Sequence, residues 1–178
     1  MKIFINPGHC PGVDPGAVNG KYNINEADIA LQTGKLVKKY LMDAGYEVML
    51  LQSDNLAGES SGPNICRTAN HWPADLFISI HCNSFSDESA NGTECLVMNK
   101  WSRAADLAQC IQKRIVSSLG TTDRKVKENP YLSVLKNTVM PAVLVEMAFI
   151  SNEKDVQLLI NNIDDFARAI ACGITDFK

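Results

Sequence analysis

"LFISIHCNS", Leu76–Ser84, is the stretch whose reading decides the fold. A nearly continuous apolar run, Leu76 to Ile80, is rich in strand formers and stops at His81. A run this short and this apolar reads as a strand buried on both faces, the habit of parallel sheets rather than of half-solvated ones. Working outward, Lys2 to Asn6 and Pro141 to Val145 repeat the pattern, the first followed by His9 and the second by Glu146. Tyr46 to Leu51 and Gly92 to Met98 read as further strands, and Leu132 to Leu135 as a short one.

Between these runs the period changes. Asn23 to Ala44 places Ile24, Ala27, Leu31, Val37, Leu41 and Ala44 at three- and four-residue steps but for one longer gap, and Gly45 follows where a helix C-terminal glycine belongs. Trp101 to Leu119 carries Ala104, Ala108, Ile111, Ile115 and Leu119 on one face. Asn152 caps a final helix with Val156, Leu159, Ile163, Ala167 and Ile170 on its inner side. Asn64 to His71 reads as a short helix. Asn55 to Pro63 reads as a loop, as does the segment containing Asp123-Arg124 and Asn129-Pro130. Strands alternating with amphipathic helices give an α/β fold with helices on both faces of a mainly parallel sheet. No shift in composition divides the chain, so residues 1–178 read as one domain.

The chain of 178 residues is 46% hydrophobic and 21% charged, enough to bury a substantial core. A net charge of -3 supplies no basic field for nucleic acid. No apolar stretch is long enough to span a bilayer, and the start MKIFINPGH is no secretory leader, because Pro7 and Gly8 interrupt a short apolar run. The expectation is synthesis in the cytoplasm, or secretion where a preceding leader has been removed. The six cysteines form no CxxC pair and read as buried free thiols; Cys10 and Cys82 each directly follow a histidine of interest.

The polar residues concentrate where ligands of such sheets bind, beyond the carboxyl ends of the strands. His9 lies in "FINPGHCPGVDPGAVNG", Phe4–Gly20, a loop shaped by glycine and proline. His81 ends one strand and Glu146 another. Glu26 falls in the first turn of the first long helix, where Asn23-Ile24-Asn25-Glu26 also fits a capping box. A carboxylate closing a buried strand needs a partner, a proton or a metal. Two histidines and one carboxylate make a catalytic zinc set that keeps a position open for water, and a second carboxylate serves as general base. With His71 in a polar helical stretch, His9 and His81 are the histidine candidates. Spacing does not say which glutamate binds metal.

The blocks "INPGHCPGVDPGAVNG", "NEADIAL", "RTANHWPADLFISIHCNS", "GTECLV", "SSLGTTDRKVKE" and "LSVLKNTVMPAVLVEMAFISNEKD" occur in that order. With them the chain resembles the catalytic domain of the zinc-dependent N-acetylmuramoyl-L-alanine amidases, from Lys2 to about Ile174. The resemblance implies a twisted, mostly parallel sheet of about six strands in one domain. It implies that Zn2+ is held by His9, Glu26 and His81 and that Glu146 is the catalytic carboxylate; Asn83, just after His81, is the candidate for a hydrogen bond to ligand or substrate. The implied reaction is hydrolysis of the amide between N-acetylmuramic acid and L-alanine in bacterial peptidoglycan, as a phage endolysin released at lysis or as an autolysin. Peptidoglycan is the implied partner, with no nucleic acid, no membrane insertion and a monomeric state. Cys10-Pro11, Lys136 and Ala148 depart from the family pattern without touching a proposed ligand. A zinc carboxypeptidase acting within the stem peptide, and a non-catalytic cell-wall-binding module, are the alternative readings.

Overall fold

A computed structural model describes residues 1–178. In chain order its elements are β1 (Lys2–Pro7), β2 (Val18–Asn19), β3 (Ile24–Asn25), α1 (Glu26–Asp43), β4 (Glu47–Leu50), α2 (Ile65–His71), β5 (Leu76–Asn83), β6 (Thr93–Val97), α3 (Arg103–Leu119), β7 (Asp123–Glu128), α4 (Ser133–Lys136), β8 (Ala142–Phe149), α5 (Glu153–Asn161) and α6 (Ile163–Asp176). The main sheet has six strands in the order β4-β1-β5-β8-β6-β7. Every neighbouring pair is parallel except β6 with β8. The expected α/β fold, with a mostly parallel sheet and helices on both faces, is the fold observed.

The two faces are unequal. Side chains alternate across a strand, and here the alternation splits the core in two. Ile3, Ile5, Leu76, Ile78, Ile80, Val143 and Val145 face α1, α3 and α6 in a cluster of 30 buried residues. Phe4, Phe77, Ala142 and Leu144 point the other way, against Ile65, Cys66 and Ala69 of α2 and Val134 and Leu135 of α4, in a cluster of 10. The Phe4 and Phe77 rings stack there with centroids 5.5 Å apart. At roughly 1.5–3 kcal/mol for each large side chain fully buried, the thick face carries most of the stability. The thin face is left open toward the carboxyl ends of the central strands.

Four expectations are corrected. The first long helix starts at Glu26, not Asn23. Asn23 adopts φ 52°, which no helix admits, and Ile24–Asn25 pairs instead with Val18–Asn19. Asn25 is the cap, its side chain accepting from the Asp28 N–H at 2.9 Å. Asp123–Glu128, read as loop, is an edge strand paired with β6; its single apolar residue, Val126, hid it from a pattern search. Leu132–Leu135, read as strand, leads into the helical turn α4, because short apolar runs do not separate the two conformations. The final helix is two, broken at Asn162: α5 packs on β8, whereas α6 packs between α1 and α3. The six cysteines are free as expected, but only Cys66, Cys82 and Cys95 are buried; Cys10 and Cys110 are half-buried and Cys172 is exposed.

Candidate metal and catalytic site

The thin, open face collects the polar residues. Glu26 is the first residue of α1, where helix geometry aims its carboxylate back over the β2–β3 ribbon. Its Oε2 accepts from the Ala17 N–H at 3.0 Å, and its Oε1 accepts from the Cys82 N–H at 3.0 Å. The carboxylate is almost wholly buried. With Asn25 as the cap, Glu26 has no capping duty, so the capping box expected at Asn23 is replaced by a different role for this side chain.

His9 follows β1 in the left-handed backbone region, φ 59°. A small ring closes the loop around it: the Cys10 N–H donates to the Asp14 carbonyl at 2.9 Å and the Asp14 N–H donates back to the Cys10 carbonyl at 2.8 Å. This brings Asp14 Oδ2 to 2.7 Å from His9 Nδ1, while His9 Nε2 lies 3.1 Å from Glu26 Oε2. His81, near the end of β5, places Nδ1 2.8 Å from Glu26 Oε1. One carboxylate is thus flanked by two imidazoles, whose rings meet edge-on at 5.1 Å.

Two glycines make room. A Cβ at Gly8 would lie 2.3 Å from the His81 ring, and one at Gly16, where φ is 65°, would lie 2.6 Å from the His9 ring and 2.7 Å from Glu26 Oε2. Gly8 and Gly16 are therefore required by the two histidines and the carboxylate, whereas Gly12 and Gly20 meet nothing within 4 Å.

The electrostatics follow from the geometry. The hydrogen bond to Glu26, helped by Asp14 and opposed by burial, raises His9 to about 9. Burial would raise Glu26, but the hydrogen bonds from His81 and His9 override it and hold the carboxyl well below its usual range. In the protein alone, a proton on His9 supplies the positive charge this carboxylate demands.

A divalent cation suits the same atoms. One ligand atom from each of His9, Glu26 and His81 lies within 4.8 Å of the other two. Bonds of about 2.0–2.1 Å at tetrahedral angles require ligand atoms about 3.3–3.4 Å apart; the three side chains are within that range of adjustment, His81 Nδ1 lying 2.8 Å from Glu26 Oε1 and His9 Nε2 3.1 Å from the other oxygen, Oε2. Asp14, 2.7 Å from the far nitrogen of His9, stands where an outer carboxylate would fix the tautomer of a metal-binding histidine. The donor set therefore fits zinc. Neither cysteine sulfur joins it.

Glu146 sits opposite His81 in the β5–β8 register. It lies inside β8 rather than at its end, since the strand continues three residues to Phe149. Its Oε2 is buried without a hydrogen-bond partner. Burial, eased by His81, pushes this carboxyl up to about 7. On the far side of Glu146, Glu94 of β6 stands directly across the antiparallel pair. Asn83 donates to Glu94 Oε1 at 3.2 Å. His71 is exposed on α2, away from the cluster, with Nδ1 2.8 Å from the Arg67 carbonyl.

A cavity of about 160 Å³ opens beside the histidines, lined by His9, Asp14 and His81 together with Ser53, Asp54 and Leu56 among others. Asp14 went unnoticed in the sequence; its signal was a carboxylate five residues past a histidine in a loop whose glycines let it fold back.

The family model described as N-acetylmuramoyl-L-alanine amidase matches residues 3–176. The germination-specific N-acetylmuramoyl-L-alanine amidase of Bacillus subtilis (strain 168) is 32% identical over 169 residues, which cover 88% of this chain and 70% of that protein. The N-acetylmuramoyl-L-alanine amidase LytC of the same organism is 35% identical over 98% of this chain but only 35% of its own length. Among solved structures, the N-acetylmuramoyl-L-alanine amidase AmiC2 of Nostoc punctiforme superposes with a TM-score of 0.87 at 27% identity, covering 99% of this chain and 96% of that one. Sequence, fold and the polar cluster at the open sheet face agree: the chain belongs to the N-acetylmuramoyl-L-alanine amidase family of enzymes.

Proposed function

We propose that this chain is a zinc-dependent hydrolase that cleaves the amide joining the lactyl group of N-acetylmuramic acid to L-alanine in peptidoglycan. The observation that carries this reading is the convergence of His9, Glu26 and His81, with the half-buried Glu146, whose Oε2 is buried and unpartnered, on the adjacent strand. In it, His9, Glu26 and His81 hold the metal. Zinc bound there supplies a Lewis acid that acidifies water and polarises a carbonyl.

The remaining work belongs to the chain. Asp14 keeps the proton of His9 on Nδ1 and leaves Nε2 free to bind. The backbone N–H groups of Ala17 and Cys82 fix the Glu26 carboxylate. Glu146 accepts the proton of the attacking water and returns it to the departing alanine amine. Burial raises this carboxyl to about 7 in the metal-free protein, away from the ordinary carboxylate range and toward the pH where a general acid–base works best. Asn83, tethered to Glu94, hydrogen-bonds the substrate beside the cleaved bond. No helix is long and apolar enough to cross a membrane. The enzyme meets the wall after lysis or secretion.

Digestion of purified peptidoglycan with and without a chelator tests the reading. New N-terminal L-alanine amines that vanish on metal removal and return with zinc support it. Release of terminal D-alanine would instead identify a carboxypeptidase, and saturable wall binding without new amines a binding module.

A further inference from the structure

The row of polar side chains does not end at Glu146. Glu94 faces it across the antiparallel pair, on the same side of the sheet. Beyond Glu94 lies β7, the charged edge strand. Lys127 Nζ donates to Glu94 Oε2 at 2.6 Å and Arg124 Nε donates to the same oxygen at 2.7 Å. Lys127 is paired with Leu96, two residues past Glu94 on the same face, so it projects over the open surface. Arg124 is held by a second contact, its guanidinium 4.8 Å from the Phe149 ring centroid.

Two cations share one carboxylate oxygen, so the cluster keeps a net positive charge. It also keeps donors unused by the protein. The Lys127 ammonium has three N–H groups and the Arg124 guanidinium five, and together they meet Glu94 and the Asn91 carbonyl alone. The side chains of Arg124 and Lys127 are 32% and 43% exposed, so these donors are reachable. The opposite side of the metal cluster has the reverse sign: Asp14 and Asp54 line the cavity beside His9, and Glu59 holds Ser133 of its rim. The open face is therefore polarised, acidic toward β1 and basic toward β7, with Glu146 between.

We infer that Arg124 and Lys127 form a subsite for a carboxylate of the substrate's stem peptide, two or three residues beyond the cleaved amide. The inference rests on the amidase reading above and adds to it the direction in which the substrate lies. β7 is two strands from β8, about 10 Å at the usual strand spacing, and an extended peptide advances about 3.3–3.6 Å per residue. The second or third stem residue thus reaches the basic edge. Carboxylates occur at those positions: the second residue is a glutamate linked through its side chain, which leaves its α-carboxyl free or amidated. The third is a diamino acid, which carries an extra carboxyl in diaminopimelate and none in lysine. The sugar, which has no charge to be repelled, then lies toward the acidic side.

The test uses zinc-loaded enzyme and four synthetic muramyl tripeptides that combine a free or amidated second residue with diaminopimelate or lysine at the third. The wild type should prefer the carboxylate-bearing member of at least one pair by about tenfold or more in kcat/KM, the scale of one charged hydrogen bond. Lys127→Met and Arg124→Gln should abolish that preference, chiefly through KM. Lys125→Gln removes a charge two residues away, from a side chain paired with Asp123, and should leave it intact. Because preference is a ratio taken on one protein sample, partial unfolding of a variant does not alter it. The released tripeptides, titrated calorimetrically against the same proteins, should show the same preference in Kd without any turnover. Cleavage and binding indifferent to the carboxylates, or a preference that survives both substitutions, would overturn the inference. Carboxylate-dependent binding without amide cleavage would uphold the subsite and refute the proposed reaction.

Discussion

Replacing Glu146 with glutamine should make this protein more stable and almost inactive. The Glu146 carboxyl has one oxygen buried with no partner, and burial lifts it from 4.5 to about 7 in the metal-free protein. A carboxyl raised in the folded state keeps its proton there while the unfolded chain gives it up. Between pH 4.5 and about 7 the native state therefore binds more protons, and stability falls as pH rises through that window. At 1.36 kcal/mol for each unit of pKa difference, the charged form costs about 3 kcal/mol above pH 7. Glutamine is isosteric and never ionises, so it escapes this cost. Urea denaturation of chelator-treated wild type and Glu146→Gln should give matching stabilities near pH 4 and a variant more stable by about 3 kcal/mol at pH 8. Titration of His9 occurs in both proteins, and its charge acts on Glu146 more weakly than those of His81, Glu26 and Glu94, so most of it drops out of the difference. Loaded with zinc, the same variant should lose about 10²–10⁴-fold in kcat, the worth of a positioned general base. Parallel pH–stability curves would refute the burial argument, and turnover at the wild-type rate would refute the catalytic role.

The loop around His9 supports three further tests. Gly16→Ala places a methyl against His9 and Glu26 in a backbone of φ 65°, whereas Gly12→Ala, at φ 80°, meets nothing within 4 Å. Both should lose about 1–2 kcal/mol in thermal or urea unfolding from the left-handed backbone, but only Gly16→Ala should also lose zinc affinity by competition titration. Asp14→Ala should weaken zinc binding about 10–100-fold with Asp14→Asn in between, since asparagine keeps an acceptor for Nδ1 but not the charge. His9, raised to about 9, is protonated in the metal-free protein at pH 7.5. Zinc uptake should then release at least the one proton of His9, read calorimetrically in buffers of different ionisation heat, and affinity should climb with pH until about 9.

How much of this was legible beforehand depends on what each residue's neighbours dictate. His81 and Glu146 were readable because the runs before them, rich in strand formers, fit a buried strand, and a titratable group at the end of such a run demands a reason. His9 was readable from a loop too rich in glycine and proline to be either helix or sheet. Glu26 was not, because its local sequence satisfies a capping motif equally well. What sets its role is the two-residue ribbon of Val18–Asn19 with Ile24–Asn25, whose partners the local pattern does not specify. The charged strand Asp123–Glu128 escaped for a related reason: at a sheet edge, charge is compatible with pairing, so polarity there carries no conformational signal. Asp14 and the Glu94–Arg124–Lys127 cluster depend on contacts that only the folded chain makes.

The position of the site follows from a change of composition within single strands. On the thin face β1 goes from Phe4 to Asn6, β5 from Phe77 to Ser79 and His81, and β8 from Leu144 to Glu146. The first member of each set packs under α2 and α4. Asn6 and Ser79 are still wholly buried, and Ser79 Oγ donates to Asn6 Oδ1 at 2.9 Å within the sheet itself; His81 and Glu146, further along, are the members that reach the open surface. A helix laid over this half would bury His81 and Glu146 against apolar side chains at a cost of several kcal/mol per charge. A hydrophobic half-face instead of the polar one would call for such a helix. The residues on the opposite side of the same strands stay apolar throughout, from Ile3 and Ile5 to Val143 and Val145, and keep α1, α3 and α6 in place. One sheet can thus hold a rigid core on one side while positioning ionisable groups on the other, because the two-residue period lets the sequence address each face separately.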